Sequence, residues 1–400
     1  MSVMKRNWKH YRILSLFFLG MILTGCNIVR LDFTFIDDRE FESLILDQDQ
    51  DAYPEIDPMA LSPEIIAYMN QHVKKGTPVE MVDQLQTLLF DKRYLNIEYD
   101  DSQTRTAIET FAARKGNCLS VVYLYIAMAR YYDLDAHFQT VLVRPSWDRR
   151  GELLVLSQHI NAIGSFSPNT SYVVDFTPEI TLQQLTASRV KDIKARALFF
   201  NNLGAEKLIA NEYSDSISYF KNALFLDPEL SISWNNIGTA YSRSEQKEIA
   251  EYAYRKAFSI DRSNTTAVSN LVKFYNREGD YDTAERYAKA IERFNMKNPY
   301  FHYNLGNIAY SEGDYEAARD HFINAIKRKD SEADFYLALS KTVEVLGELE
   351  QAKALFEVAK MIYTSSSEIY RPSNNKVRII DEKSILRSSS AGFSVRANSL

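Results

Sequence analysis

Four hundred residues exceed one ordinary domain, and 46% hydrophobic with 25% charged residues is a globular composition that excludes wholesale disorder. A net charge of −6, with no dense Lys/Arg cluster in a folding segment, argues against nucleic acid as a partner. Only 13 glycines beside 25 tyrosines and 22 phenylalanines suit helical packing better than a loop-rich β fold.

Residues 1–25 combine a basic head (Lys5, Arg6, Lys9, Arg12) with an apolar run over 13–23 that is too short to span a bilayer comfortably. This is the pattern of a secretory signal. The junction Leu23-Thr24-Gly25-Cys26 resembles the lipobox of bacterial lipoproteins, in which the cysteine becomes the lipidated first residue. The resemblance implies a chain anchored in a bacterial envelope, and Asn27 after the cysteine points to the outer membrane, facing the periplasm. Loss of the four basic residues takes the net charge to about −10. Residues 26–61 are acidic and interrupted by Pro54 and Pro58, and they read as a tether.

From Ser62, followed by Pro63 at a first helical position, the pattern turns helical. It leads to LSVVYLYIAMARYYDL, apolar all round as a buried helix should be. Three segments rich in Val, Thr, Tyr and Phe follow: AHFQTVLVRP, ELLVLSQHINAIG and SYVVDFTPE. Turn-formers separate them, so the spacing predicts a short antiparallel sheet and an α+β domain over 62–190. Residues 183–195 lack Pro and Gly and read as helix, which predicts rigid docking of whatever comes next.

From Ala197 onward the text repeats. Leu203, Ile237, Leu271, Leu305 and Leu339 are spaced by 34, as are Gly204, Gly238 and Gly306, with Val272 and Ser340 in the remaining slots. Ala250, Ala284, Ala318 and Ala352 share one register with Ser216, while Phe220, Tyr254, Phe322 and Phe356 share another with Ala288 as the exception. This period, with small residues where two helices cross, is the tetratricopeptide signature, and the segments resemble that family closely. Five units over 197–364 predict an all-α solenoid with a concave groove. Asn202, Asn236, Asn270 and Asn304 recur on the first helix of each unit, and in resembling repeats such side chains face the groove and contact a peptide or protein partner. The Ser-rich, basic tail over 365–400 reads as disordered.

If Cys26 is acylated, Cys118 is left without a partner, and a lone thiol in an oxidising compartment calls for a reason. Gly116-Asn117-Cys118 stands at the start of the apolar helix, where the dipole and free N–H groups favour a thiolate. Among the histidines, His137 and His159 fall in the strand region; His159, in QHINAI, is followed on the next strand by Asp175 in YVVDFTPE. Taken in order, these three motifs resemble the transglutaminase-like, papain-related cysteine protease superfamily. The resemblance covers about residues 62–180. It implies Cys118 as nucleophile, His159 as base and then acid, Asp175 as the group orienting His159, and the Cys118 N–H as an oxyanion donor. Gly116 and Asn117 stand where many members carry an aromatic residue, and Ile160-Asn161-Ala162 where a tryptophan-containing strand is common.

The reading is thus an α+β, transglutaminase-like domain with a central helix and a small antiparallel sheet, followed by the repeat solenoid. The expected activity is an envelope cysteine hydrolase of peptidase or amidase type, working through an acyl-enzyme. The alternative is a non-catalytic adaptor lipoprotein. No cofactor, metal or nucleotide is expected, since no GxGxxG, GxxxxGK, HExxH or CxxC occurs.

Overall fold

The structure is a computed structural model and describes residues 38–150, 153–168, 170–176, 188–365 and 377–380. The expected signal, lipobox and first part of the tether lie outside the described residues.

The chain opens with helix α1 (Arg39–Leu46), capped by Asp38, whose carboxylate accepts from the Glu40 N–H at 3.0 Å. After an irregular stretch come α2 (Pro63–His72) and α3 (Pro78–Phe90). Each has a proline at its first position, where a missing N–H is harmless, and a Ser62 or Thr77 cap. Thr77 and Glu80 complete a reciprocal capping box, as do Thr106 and Glu109 further on. The short parallel pair β1 (Glu98–Tyr99) and β2 (Lys115–Gly116) brackets α4 (Ala107–Ala113). Helix α5 (Cys118–Tyr131) then runs through the middle, with every residue from Leu119 to Ala129 buried.

Strands β3 (His137–Arg150), β4 (Leu153–Ser167), β5 (Thr170–Val174) and β6 (Ser188–Val190) pair antiparallel. The solenoid follows as five helix pairs: α6 (Asp192–Ile209) with α7 (Tyr213–Leu226), α8 (Ser231–Arg243) with α9 (Lys247–Ile260), α10 (Thr265–Glu278) with α11 (Tyr281–Asn295), α12 (Pro299–Glu312) with α13 (Tyr315–Ile326), and α14 (Ala333–Val345) with α15 (Leu349–Ser365). Strand β7 (Val377–Ile380) returns to β5 and completes the sheet order β6-β3-β4-β5-β7.

Three features depart from the sequence reading. The segment over 183–195 is not one helix: residues 188–190 form the edge strand β6 and α6 starts at Asp192. Part of the tail expected to be disordered, residues 377–380, forms β7, because the outer edge of β5 offers unpaired backbone groups. The acidic tether, from residue 38 onward, is docked rather than free. Ile45 is fully buried among Phe220, Leu224 and Trp234; Phe41 packs on Tyr252; Glu42 pairs with Lys256 at 2.7 Å. Further along, Tyr53 stacks on Tyr219 and Phe200, and Arg196 pairs with Asp51 while donating to the Tyr53 carbonyl at 2.7 Å. Apolar residues spaced along the acidic text thus find partners on α6, α7 and α9. The expectation of rigid docking does describe the result. Ala195, Phe199, Phe200 and Ala223 of the first repeat belong to the same core as α2 to α5 and the sheet. Arg130 also clamps Asp192 with two hydrogen bonds, of 2.6 and 3.0 Å.

Candidate functional sites

The Cys118 region is built from the start of α5 upward. Asn117 caps the helix: its Oδ1 accepts from the Ser120 N–H and from Ser120 Oγ, both at 2.9 Å. Its Nδ2 donates to Thr104 Oγ1 at 2.8 Å, and Ser120 Oγ accepts from the Arg105 N–H at 2.8 Å. Thr104 in turn donates its N–H to Glu206 of α6 at 2.6 Å, so the first repeat is hydrogen-bonded to the loop that holds the cap. Gly116 is needed for closeness, since a Cβ there would sit 2.9 Å from that of Ser120. This accounts for the Gly-Asn pair standing before the cysteine.

Cys118 is the first residue of α5 and is partly buried. Burial pushes its thiol up to about 11, with the Asp175 charge acting in the same direction. The backbone amides of Ile160, Leu119 and Cys118 itself pull the other way but do not prevail. The thiolate stabilisation expected from the helix N-terminus is therefore outweighed by desolvation. Asp175 follows β5 directly and is fully buried. The register Ala162↔Val174 places Asn161 beside it, and Asn161 Nδ2 lies 3.5 Å from the Asp175 carboxylate. Asn161 is itself fully buried, a polar residue of this region that the sequence reading passed over; its place two positions after His159 was the available signal.

The fold therefore sets Cys118 against the backbone of Ile160 in β4 and near enough to Asp175, beside Asn161, to feel its charge. His159 precedes Ile160, with its Cα opposite Val141, and its side chain lies outside the described residues. His137, the other histidine of the strand region, is engaged elsewhere: its Nε2 is 2.7 Å from Asp135 Oδ1 at the exposed start of β3.

In the solenoid, Gly204, Gly238 and Gly306 sit where a Cβ would meet the ring of Phe220, Tyr254 or Phe322 at 2.6 to 2.9 Å. The first helices α6, α8 and α10 touch in succession, and α12 touches α14, so this row forms the inner, closer-packed side of the curve. The asparagines predicted for the groove divide by use. Asn236 donates to Asn201 at 3.1 Å and Asn270 donates to Asn235 at 2.9 Å, so both tie one repeat to the next. Asn202 is half-buried and Asn304 is exposed. Asn201 and Asn235, the inward members of two Asn-Asn pairs, are the stacking partners that the 34-residue comparison overlooked.

Comparison with known proteins follows the same division of the chain. Family models of the tetratricopeptide repeat match residues 232–264, 275–331 and 303–366. No curated protein matches the sequence. Among solved structures, the APC/C hetero-tetramer Cut9-Hcn1 is 19% identical with a TM-score of 0.32, the match covering 42% of this chain and 34% of that one. The pilF protein of Pseudomonas aeruginosa is 17% identical with a TM-score of 0.34, over 43% of this chain and 78% of that one. MamA from Desulfovibrio magneticus RS-1 is 13% identical with a TM-score of 0.30, over 44% and 99%. The C-terminal region of this chain is built of tetratricopeptide repeats.

Proposed function

We propose that this chain is a protein-binding adaptor in which the repeat solenoid takes up a partner segment and the α+β domain serves as a fixed platform for it. The observation that carries this reading is the continuous array of five helix pairs, matched by the repeat models from residue 232 onward and fused through a shared core to the domain before it. A solenoid of this kind presents an extended concave surface, the usual means of holding an extended peptide. The N-terminal motif supports attachment to a bacterial outer membrane through acylated Cys26, which would confine the adaptor to the periplasmic face. The test is in vivo photo-crosslinking from the inner helices α8 and α10, read by mass spectrometry, with Cys26→Ser as the control for anchoring. Reproducible partners crosslinked from α8 and α10 but not from the outer helix α9 are expected. Absence of such crosslinks, with the chain folded and exported, would remove the adaptor reading.

A second reading, cysteine hydrolysis or acyl transfer of the transglutaminase-like type, is favoured by one specific observation. Cys118, at a helix start, lies against the β4 backbone next to His159 and near enough to Asp175 to feel its charge. In this reading Cys118 attacks an amide carbonyl, His159 takes and returns the proton, and Asp175 orients the imidazole. Labelling of Cys118 by a thiol-directed activity probe that is lost in both His159→Ala and Asp175→Asn, while the folded content is kept, is the expected result. Equal labelling of the three proteins would leave the adaptor as the whole function.

A further inference from the structure

The last repeat leaves an apolar stripe uncovered. In repeats one, two and four the aromatic ring of the second helix, Phe220, Tyr254 or Phe322, is buried, and the first helix of the next repeat packs on that helix: α8 on α7, α10 on α9, α14 on α13. Among the described residues no helix follows α15. Its Leu349 is 65% exposed and its Phe356 half exposed, and a spacing of seven residues, about two turns, sets them on one line along the helix. Val345, near the end of α14, and Met361 are exposed as well. Solenoids ordinarily end on a polar outer face. The opposite end of this array is covered, because Phe199 and Phe200 of α6 lie in the core shared with the α+β domain. Lys353 and Glu350 flank the stripe on one side by helical rotation; both are exposed, and among the described residues neither makes an ion pair. Further along, Glu357 and Lys360 pair with each other at 3.9 Å. The charges of α15 therefore cancel, on a chain of net charge −6.

We propose that the open face of α15 is a self-association surface, on which a second copy of this chain lays its own α15 antiparallel about a two-fold axis. The order of residues fits that pairing. With the axis level with the point between Ala352 and Lys353, Leu349 of each copy lies opposite Phe356 of the other. The same placement brings Lys353 of each copy to within about 3 Å, measured along the helix, of the level of Glu350 in the other, on the same flank. One geometry thus serves both the apolar stripe and the two charges. Head-to-tail growth is closed off, because the domain occupies the outer surface of the first repeat; only like ends can meet, which gives a closed dimer and not a filament. The charge balance of α15 keeps the acidity of the rest of the chain out of the contact. A pair of 17-residue helices buries less than a standard interface, so the dimer forms in proportion to concentration. The inference does not rest on the adaptor reading.

The experiment uses the full chain in intact cells. Lys353→Cys, next to the axis, is expected to give a disulfide-linked species of twice the chain mass on mild oxidation, whereas Tyr281→Cys, exposed on α11, is expected to give none. Two differently tagged copies are then co-expressed and recovered through one tag. Phe356→Ser and Lys353→Glu, each present in both copies, are expected to lower recovery of the second tag by about tenfold, since a two-fold axis counts every change twice. Lys353→Glu combined with Glu350→Lys is expected to restore it, which a loss of folding could not do. Phe356→Ser changes a half-exposed position, so its thermal midpoint is expected to match the parent. Absence of the Lys353→Cys adduct would overturn the proposal, as would recovery that Phe356→Ser leaves unchanged or that the double exchange fails to restore. Crosslinks from the α15 face to a different protein, with none between copies, would overturn it and leave the adaptor reading standing.

Discussion

Individual residues show which physical effect prevails at each place. At Cys118, burial and the helix start compete, and burial wins. With the thiol at about 11, only about 0.1% is thiolate at pH 8, so alkylation by iodoacetamide should be slow and rise about tenfold per pH unit up to that pKa. An inflection below pH 8 would show that a cationic imidazole outweighs desolvation. The same shift has a stability consequence. The folded thiol holds its proton above the ordinary value of 9.0, so its contribution is complete below pH 9 and is lost as pH rises toward about 11. A second case is backbone conformation. The turn inside each repeat places one residue in the left-handed region: Asn211, Glu245, Gly279, Gly313 and Gly347, again 34 apart. Glycine suits that conformation and glutamate does not. Glu245→Gly should therefore raise stability by about 1 kcal/mol, and Gly313→Ala, whose added Cβ meets nothing within 4 Å, should lower it by about as much. Denaturant midpoints check the pair, and equal shifts of the same sign would refute the backbone explanation.

Between elements, helix packing follows a volume rule. A glycine on the first helix makes room for an aromatic ring on the second in repeats one, two and four. Repeat three reverses the assignment, with Val272 on α10 and Ala288 on α11. Repeat five carries Ser340, whose Oγ donates to the Ala352 carbonyl at 2.8 Å, and there Phe356 is left 52% exposed, while Phe220, Tyr254 and Phe322 are buried. The two apparent exceptions in repeat three are thus one exchange of large for small. Ala288→Phe alone should overpack the crossing and cost about 1 to 3 kcal/mol. Adding Val272→Gly should recover part of that loss, and a double-mutant cycle by chemical denaturation measures the coupling. Additive effects would show that the two positions do not share one space.

At the scale of the molecule, the α+β domain and the first repeats should unfold together, because they share a core and the N-terminal segment packs into the solenoid. Removing the repeats would strip Ala195, Phe199, Phe200 and Ala223 from the domain's interior, so the domain is not expected to fold alone. Ile45 makes the reciprocal contact, from the N-terminal segment into the solenoid. Ile45→Ala should cost about 2 to 5 kcal/mol and lower the midpoint of the domain together with that of repeats one and two. Separate calorimetric transitions for domain and solenoid in the parent protein would contradict this.

Much of the chain was legible because its information is local. The 34-residue period, the Ser62-Pro63 start of α2, the apolar run of α5 and the Val, Thr, Tyr and Phe content of β3 to β5 are all set by neighbouring residues, and each appears as an element of the expected type. What distant segments do to one another was not legible. Acidic text over residues 38–61 looks like a tether until α6, α7 and α9 supply partners for Ile45, Phe41 and Tyr53. A basic tail looks unstructured until the β5 edge gives it a strand to pair with. The Cys118 region divides along the same line. Its place at a helix start was readable from Gly116-Asn117-Cys118. The state of its thiol was not, because desolvation is produced by everything packed around the sulfur and by no one neighbour in the sequence.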